Sequence, residues 1–258
     1  LEDFVERLRL VHQTLGFTTA FVVAPAALLS TLGGRVHRRF GVAYAVLMTL
    51  LYATGTFFTF HKHELASRNF ARNICFNLLG YSLLWVGLRA LALRSEGRRL
   101  RATGLDWSLT GLHALLAGVL IALASWKWVL GVIGGLGLLL VALDLDEFLG
   151  LSARHKHRLD RHLRYMLGSY LYVLTVLSIV HFPAAYKVKW IWPGLLGVPV
   201  VAALTAPGLR RRLGLNRPRA WAWGARLVVA VAFCLGALVL QDAIAQGSLA
   251  SALGTQGD

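Results

Sequence analysis

Nine histidines are the residues of this 258-residue chain best suited to chemistry. A neutral imidazole ligates haem iron or copper, and two imidazoles from separate helices can hold a haem from opposite faces. His61 and His181 are the preferred pair, with His12 as the substitute, and haem b is the cofactor such a pair would hold. Asn73, Asn77, Tyr81 and Trp85 recur every fourth residue and share one helical stripe. The two amides are expected to fix imidazole tautomers by hydrogen bonding. Thr175 and Ser178 lie close to the side of the helix that carries His181. His113 stands alone in an apolar stretch. It is expected to pair with His37, Asp106 or a tyrosine, or to ligate a second haem. His63, between Lys62 and Glu64, reads as loop.

The segment "SARHKHRLDRHLR", 152–164, joins His155, His157 and His162 to Asp160 and five cationic side chains. His155 and His157 are two residues apart and share no helical face, and the surrounding cations repel a metal ion. The segment reads instead as a charged loop entering a helix, and its cations, with those of the other basic connections on its side, are expected to contact anionic lipid headgroups. His162 opens that helix, within reach of a bond inside the bundle.

The elements that position these residues are long and apolar. Hydrophobic residues make up 57% of the chain, and the mean hydropathy is +0.60. A soluble domain needs more polar surface than that. A spanning helix needs about 20 mainly apolar residues. Eight stretches qualify: 10–32, 40–60, 71–93, 105–125, 128–148, 162–182, 188–206 and 221–243. Residues 1–9 read as a short amphipathic lead-in, with Phe4, Val5 and Leu8 on one side. They lack the basic start of a cleavable signal, and the absence of Met leaves room for residues before Leu1. Pro25, Pro193 and Pro199 are expected to interrupt their helices, and Gly131, Gly134, Gly135 and Gly137 to permit close helix packing. The fold expected is all-α, a single polytopic membrane bundle over residues 1–258.

Charge orients it. Alternate connections beginning at "GGRVHRR" carry 17 Lys or Arg, against eight on the other side. The positive-inside rule places the richer side in the cytoplasm and both termini outside. "WKW" and "WIW" then mark outer interfaces, and Trp107 and "WAW" inner ones. His12, His61, His63 and His181 fall near the outer face, and His37, His155, His157 and His162 near the inner one. The net charge of +15 therefore serves orientation, and no zinc-finger spacing or base-stacking pattern points to nucleic acid. Cys75 and Cys234, both inside apolar blocks, say nothing of redox compartment.

Three pieces resemble one family. They are "VHQTLGFTTAFVVAPAALLSTLGGRVHRRFGVAYAVLM", "NLLGYSLLWVGLRAL", and "RHLRYMLGSYLYVLTV" with the later "WIWPGLLGVPVV". Together they resemble the bacterial membrane proteins of domain-of-unknown-function 2306 and its longer relatives, over most of residues 10–200. The resemblance implies a helical bundle in a bacterial membrane, places the family's histidines at His12, His37 and His162, and implies no activity. The family's Gly-Arg after its His-Arg pair is Gly41-Val42 here.

No phosphate-cradling glycine loop, Gly-x-Ser-x-Gly elbow or His-Glu-x-x-His helix occurs. His61 with Glu64, one turn apart, is the sole base and acid pair of note at the outer face. Asp106, Asp144, Asp146, Glu147 and Asp160 fall at the inner end, away from the midplane site that ion-coupled transport uses. The expected function is a haem-b or quinone-linked electron-transfer subunit. A non-catalytic accessory subunit of a larger membrane complex is the alternative, and a small-molecule transporter the third reading.

Overall fold

The computed structural model describes residues 2–30, 33–63, 65, 67–96, 99–125, 128–151, 158–181 and 197. They form an all-helical chain with one short hairpin. Helix α1 (Glu2–Thr18) passes through a π-helical turn (Thr19–Val23) into α2 (Ala24–Leu29). Then come α3 (Arg35–Lys62) and α4 (Arg68–Ala90), followed by strands β1 (Arg94–Glu96) and β2 (Arg99–Arg101). Next are α5 (Gly104–Ala122) with a 3-10 turn (Leu123–Ser125), α6 (Trp128–Leu149) and α7 (Arg158–His181).

Four helical stretches among the described residues are long and apolar enough to cross a membrane: Glu2–Leu29, Arg35–Lys62, Gly104–Ser125 and Trp128–Leu149. α4 and α7 are long enough but carry more polar residues, and α4 buries Cys75, Leu79, Ser82, Leu83 and Val86. The spans expected at 188–206 and 221–243, with Pro193, Pro199 and Cys234, lie outside the described residues.

The residues expected as a separate lead-in are the first turns of α1 itself. Asp3 pairs with Arg7 at 3.0 Å and Glu6 with Arg9 at 2.8 Å, spacings that support a helix from its start. Pro25 does not break its helix either. Proline has no N–H to give the preceding turn, and the backbone accommodates it through the wider π turn just before it.

The chain packs as two units, Leu1–Leu15 with Ala45–Ser169, and Gly16–Tyr44 with Tyr170–Asp258. In the second unit, Tyr170 Oη donates to the Ala20 carbonyl of the π turn at 3.0 Å, and His37 Nδ1 to the Ala27 carbonyl at 3.0 Å. The first unit holds the polar sites.

Within that unit α5 and α6 pack closely because α6 is glycine-rich on one side. A Cβ at Gly134 would lie 2.6 Å from the Ala117 carbonyl, and one at Gly137 2.9 Å from Ala117 Cβ. Gly131 likewise faces Ala124, whereas Gly135 has nothing within 4 Å. Three of the four expected packing glycines thus serve that contact.

The hairpin seats on the end of α6 through Leu93, Leu100 and Phe148. Caps set the helix starts. Ser67 Oγ accepts from Phe70 N at 3.1 Å. The Asp106 carboxylate accepts from Thr103 N at 2.8 Å and from its hydroxyl at 2.7 Å.

Candidate functional site

Two polar centres lie in the first unit, one along the N-terminal half of α4 and one along its C-terminal half. The first lies where α1, α3 and α4 meet. His12 Nδ1 is 2.7 Å from Thr54 Oγ1. The Thr54 hydroxyl already donates to the carbonyls of Leu50, at 2.9 Å, and Leu51, at 3.1 Å. With that hydroxyl proton on a helix carbonyl, its oxygen accepts from His12 Nδ1–H. The neutral ring then carries its lone pair on Nε2, the arrangement of a ligating imidazole whose other nitrogen is held. The ring edge packs against Phe58, with centroids 5.5 Å apart.

Gly55 packs closely beside this ring. A Cβ there would be 3.5 Å from His12 Cε1 and 3.2 Å from Asn77 Oδ1. The α3 glycine thus lets the imidazole and the amide approach from two other helices. Asn77 Nδ2 donates to Thr59 Oγ1 at 3.4 Å, and Thr59 in turn donates to the Gly55 carbonyl at 2.9 Å.

Asn77 thus stands beside His12, though bonded to a threonine. Asn73 Nδ2 donates instead to His63 Nε2 at 3.0 Å, and Asn73 Oδ1 accepts from Arg72 Nε at 2.9 Å. His63, expected as plain loop, is therefore the imidazole that the amide stripe holds. His61 is exposed and stacks on Phe57, with centroids 5.9 Å apart and planes 7° apart. His181 ends α7, and its side chain lies outside the described residues, as do Glu64, His155 and His157. Tyr81 continues the stripe as an aromatic contact, edge-on to Tyr52 and Trp85.

The second centre joins α4, α5, α6 and α7. Arg161 on α7 contacts Asp144 at 2.7 Å and Glu147 at 3.2 Å, both on α6. Arg164 binds the other Glu147 oxygen. Asp144 and Arg161 are each 2% exposed at the side chain. The Arg161 guanidinium also lies over the rings of Phe148 and Tyr165, 4.5 and 5.3 Å from their centroids. Thr110 on α5 donates to Asp144 at 3.1 Å.

His113 follows Thr110 by one turn. Its Nδ1 lies 3.2 Å from Ser82 Oγ, whose proton goes to the Leu79 carbonyl at 2.7 Å. With the Ser82 proton on that carbonyl, this ring too carries its hydrogen on Nδ1. It is 2% exposed, its Nε2 has no hydrogen-bond partner, and it meets the Tyr165 ring edge-on. His113 is thus the packed histidine with a hydroxyl partner, and that partner is Ser82 rather than His37, Asp106 or a tyrosine.

A second ion pair lies at the same end, with Arg89 Nε on Asp106 at 3.1 Å. His162 Nδ1 donates to the Gly87 carbonyl at 2.8 Å, the bond within the bundle expected of it.

Sequence reasoning missed the Asp144–Arg161 cluster. It read Arg161 as a cation holding a loop in place. The signal was spacing: Asp144 and Glu147 are three apart on one helix, and Arg161 and Arg164 three apart on the next, so each pair shares a face.

Among the described residues no group of three or more His, Cys, Asp or Glu side chains is arranged to hold a metal ion. No known protein family, curated protein or solved structure matches the chain.

Proposed function

We propose that the chain is a multi-pass protein of a bacterial inner membrane that takes part in electron transfer, holding a haem b or a quinone at its outer end. Eight spans, both termini outside and kinship with the domain-of-unknown-function 2306 proteins belong to the same proposal. The charge asymmetry of the connections supports the orientation.

The observation that carries the cofactor reading is the His12–Thr54 hydrogen bond, at 2.7 Å. Thr54 holds the Nδ1 proton and leaves Nε2 as a donor of electrons to a metal. Gly55 lets the ring and the Asn77 amide pack closely against α3. His61 follows Thr54 by seven residues, two turns along the same face of α3 and about 10 Å farther toward its end. A haem iron held there would supply one-electron chemistry; the chain supplies the imidazole, its tautomer and the apolar wall of Phe58.

The test is a dithionite-reduced minus air-oxidised spectrum of detergent-purified protein from haem-replete cells, with quinone extraction alongside. Soret, α and β bands lost in H12A and kept in H113A are expected for haem. A flat spectrum with no extractable quinone defeats the reading.

A second reading, an accessory subunit of a larger membrane complex, draws on the other centre. Asp144, Glu147, Arg161 and Arg164 neutralise one another, as a rigidifying element would. It predicts a co-purifying partner that H12A does not release.

A further inference from the structure

The hairpin between α4 and α5 carries an imbalance that its own residues do not resolve. Its register sets Arg94 directly opposite Arg101, and Glu96 opposite Arg99. Side chains alternate across a strand, so Arg94, Glu96, Arg99 and Arg101 share one face, and all four are exposed. Leu100, on the other face, is 1% exposed and packs with Leu93 and Phe148. The hairpin is thus fixed with its charged face outward.

Glu96 is the only carboxylate on that face, shared between Arg99 at 3.6 Å and Arg101 at 3.5 Å. Arg94 has no carboxylate partner among the described residues, although like charges directly opposite repel. A further guanidinium stands at the same end, where Arg158 Nη1 donates to the Leu91 carbonyl at 3.3 Å.

An independent feature fixes the depth. Trp107, one turn into α5, is 41% exposed and packs on Phe148, with centroids 5.2 Å apart. Phe148 is the same residue that seats the hairpin. An exposed tryptophan at the end of an apolar helix marks the headgroup level of a bilayer. Exposed Leu105 and Leu91 flank it with apolar surface. Three guanidiniums beside one carboxylate, next to apolar side chains at that depth, complement a phosphate with acyl chains attached. They do not complement a free anion, which gains nothing from the leucines.

We propose that the Arg94–Arg101 face of the β1–β2 hairpin is a docking surface for the headgroup of an anionic phospholipid, a different site from the 152–164 loop and independent of the cofactor reading. Arg94 and Arg101 flank the phosphate, and Glu96 holds Arg101 and Arg99 in place.

The experiment is native mass spectrometry of the delipidated full chain in detergent, titrated with phosphatidylglycerol or phosphatidylcholine. Phosphatidylglycerol is expected to bind in preference. R94Q/R101Q should weaken it about 25-fold and R94Q alone about fivefold, at roughly fivefold per surface arginine. Millimolar inorganic phosphate should leave the bound lipid in place. Equal binding of the two lipids, unchanged binding by R94Q, or displacement by inorganic phosphate would overturn the proposal.

Discussion

The two ends of the first unit solve the same problem with different chemistry. At the α6–α7 end, four charged side chains pack together, three of them buried, and each charge is met by its opposite. At the α1–α3–α4 end the polar groups are neutral: an imidazole, amides and hydroxyls passing hydrogen bonds to helix carbonyls. A buried charge must be paired, because an unpaired one costs several kcal/mol. A neutral group needs only a hydrogen bond, and a nitrogen left without a donor costs less. The ion-paired end therefore has little freedom to change, and the one imidazole there, His113, is sealed at 2% exposure, while at the neutral end a hydrogen bond can be exchanged without stranding a charge. That difference favours His12, rather than Asp144 or Arg161, as the place for chemistry.

The sharpest way to break the comparison is to remove one member of the buried pair. R161A should destabilise the protein by about 3–5 kcal/mol, because Asp144 loses its opposite charge and is left with the Thr110 hydroxyl. D144A/R161A should recover part of that loss, as a double-mutant cycle by denaturant unfolding in detergent would show. If the double variant is no better than R161A, the pair is not the unit of stability. Next comes G134L, which drives a side chain into the Ala117 carbonyl. A loss of about 1–3 kcal/mol is expected in the same unfolding measurement, with the α5–α6 contact opened.

The neutral end should respond less. T54V removes the acceptor of the His12 proton and should cost about 0.6–2 kcal/mol in thermal unfolding. Any bound chromophore should shift its bands in T54V, because the imidazole loses its fixed tautomer. A cost as large as that of R161A would erase the contrast between the ends. The smallest effect is expected at the surface. E96A breaks only exposed pairs and should change stability by at most about 1 kcal/mol.

Particular residues show how far the sequence reaches. Of the eight apolar blocks expected, four coincide with described helices long and apolar enough to cross a membrane, a property that length and composition alone decide. Gly134 and Gly137 were legible as packing glycines, but not that Gly135, their neighbour, faces away. The amide stripe was legible as a stripe, because four-residue spacing fixes a helix face. Its partners were not. Asn73 meets His63, a residue just past the end of α3 whose ring position depends on how the chain turns there. Asn77 meets Thr59 and stands beside His12, across two helix interfaces.

Arg161 shows the same limit from the other side. A cation near a run of cations reads as part of a charged loop. Its fate is set by Asp144 and Glu147, 17 and 14 residues earlier, which only the packing of α6 on α7 brings to it.

Composition and spacing alone make this a chain of long apolar helices, unevenly charged between its alternate connections, with neutral polar residues on defined helix faces. Those properties follow from local periodicity and transfer free energy, which act one segment at a time. Helix packing settles that His12 meets Thr54, that His113 is sealed against Ser82 and Tyr165 with its Nε2 unpartnered, and that Arg161 is buried rather than exposed. Those outcomes depend on side chains from different helices meeting within about 3 Å, the range over which hydrogen bonds and ion pairs act.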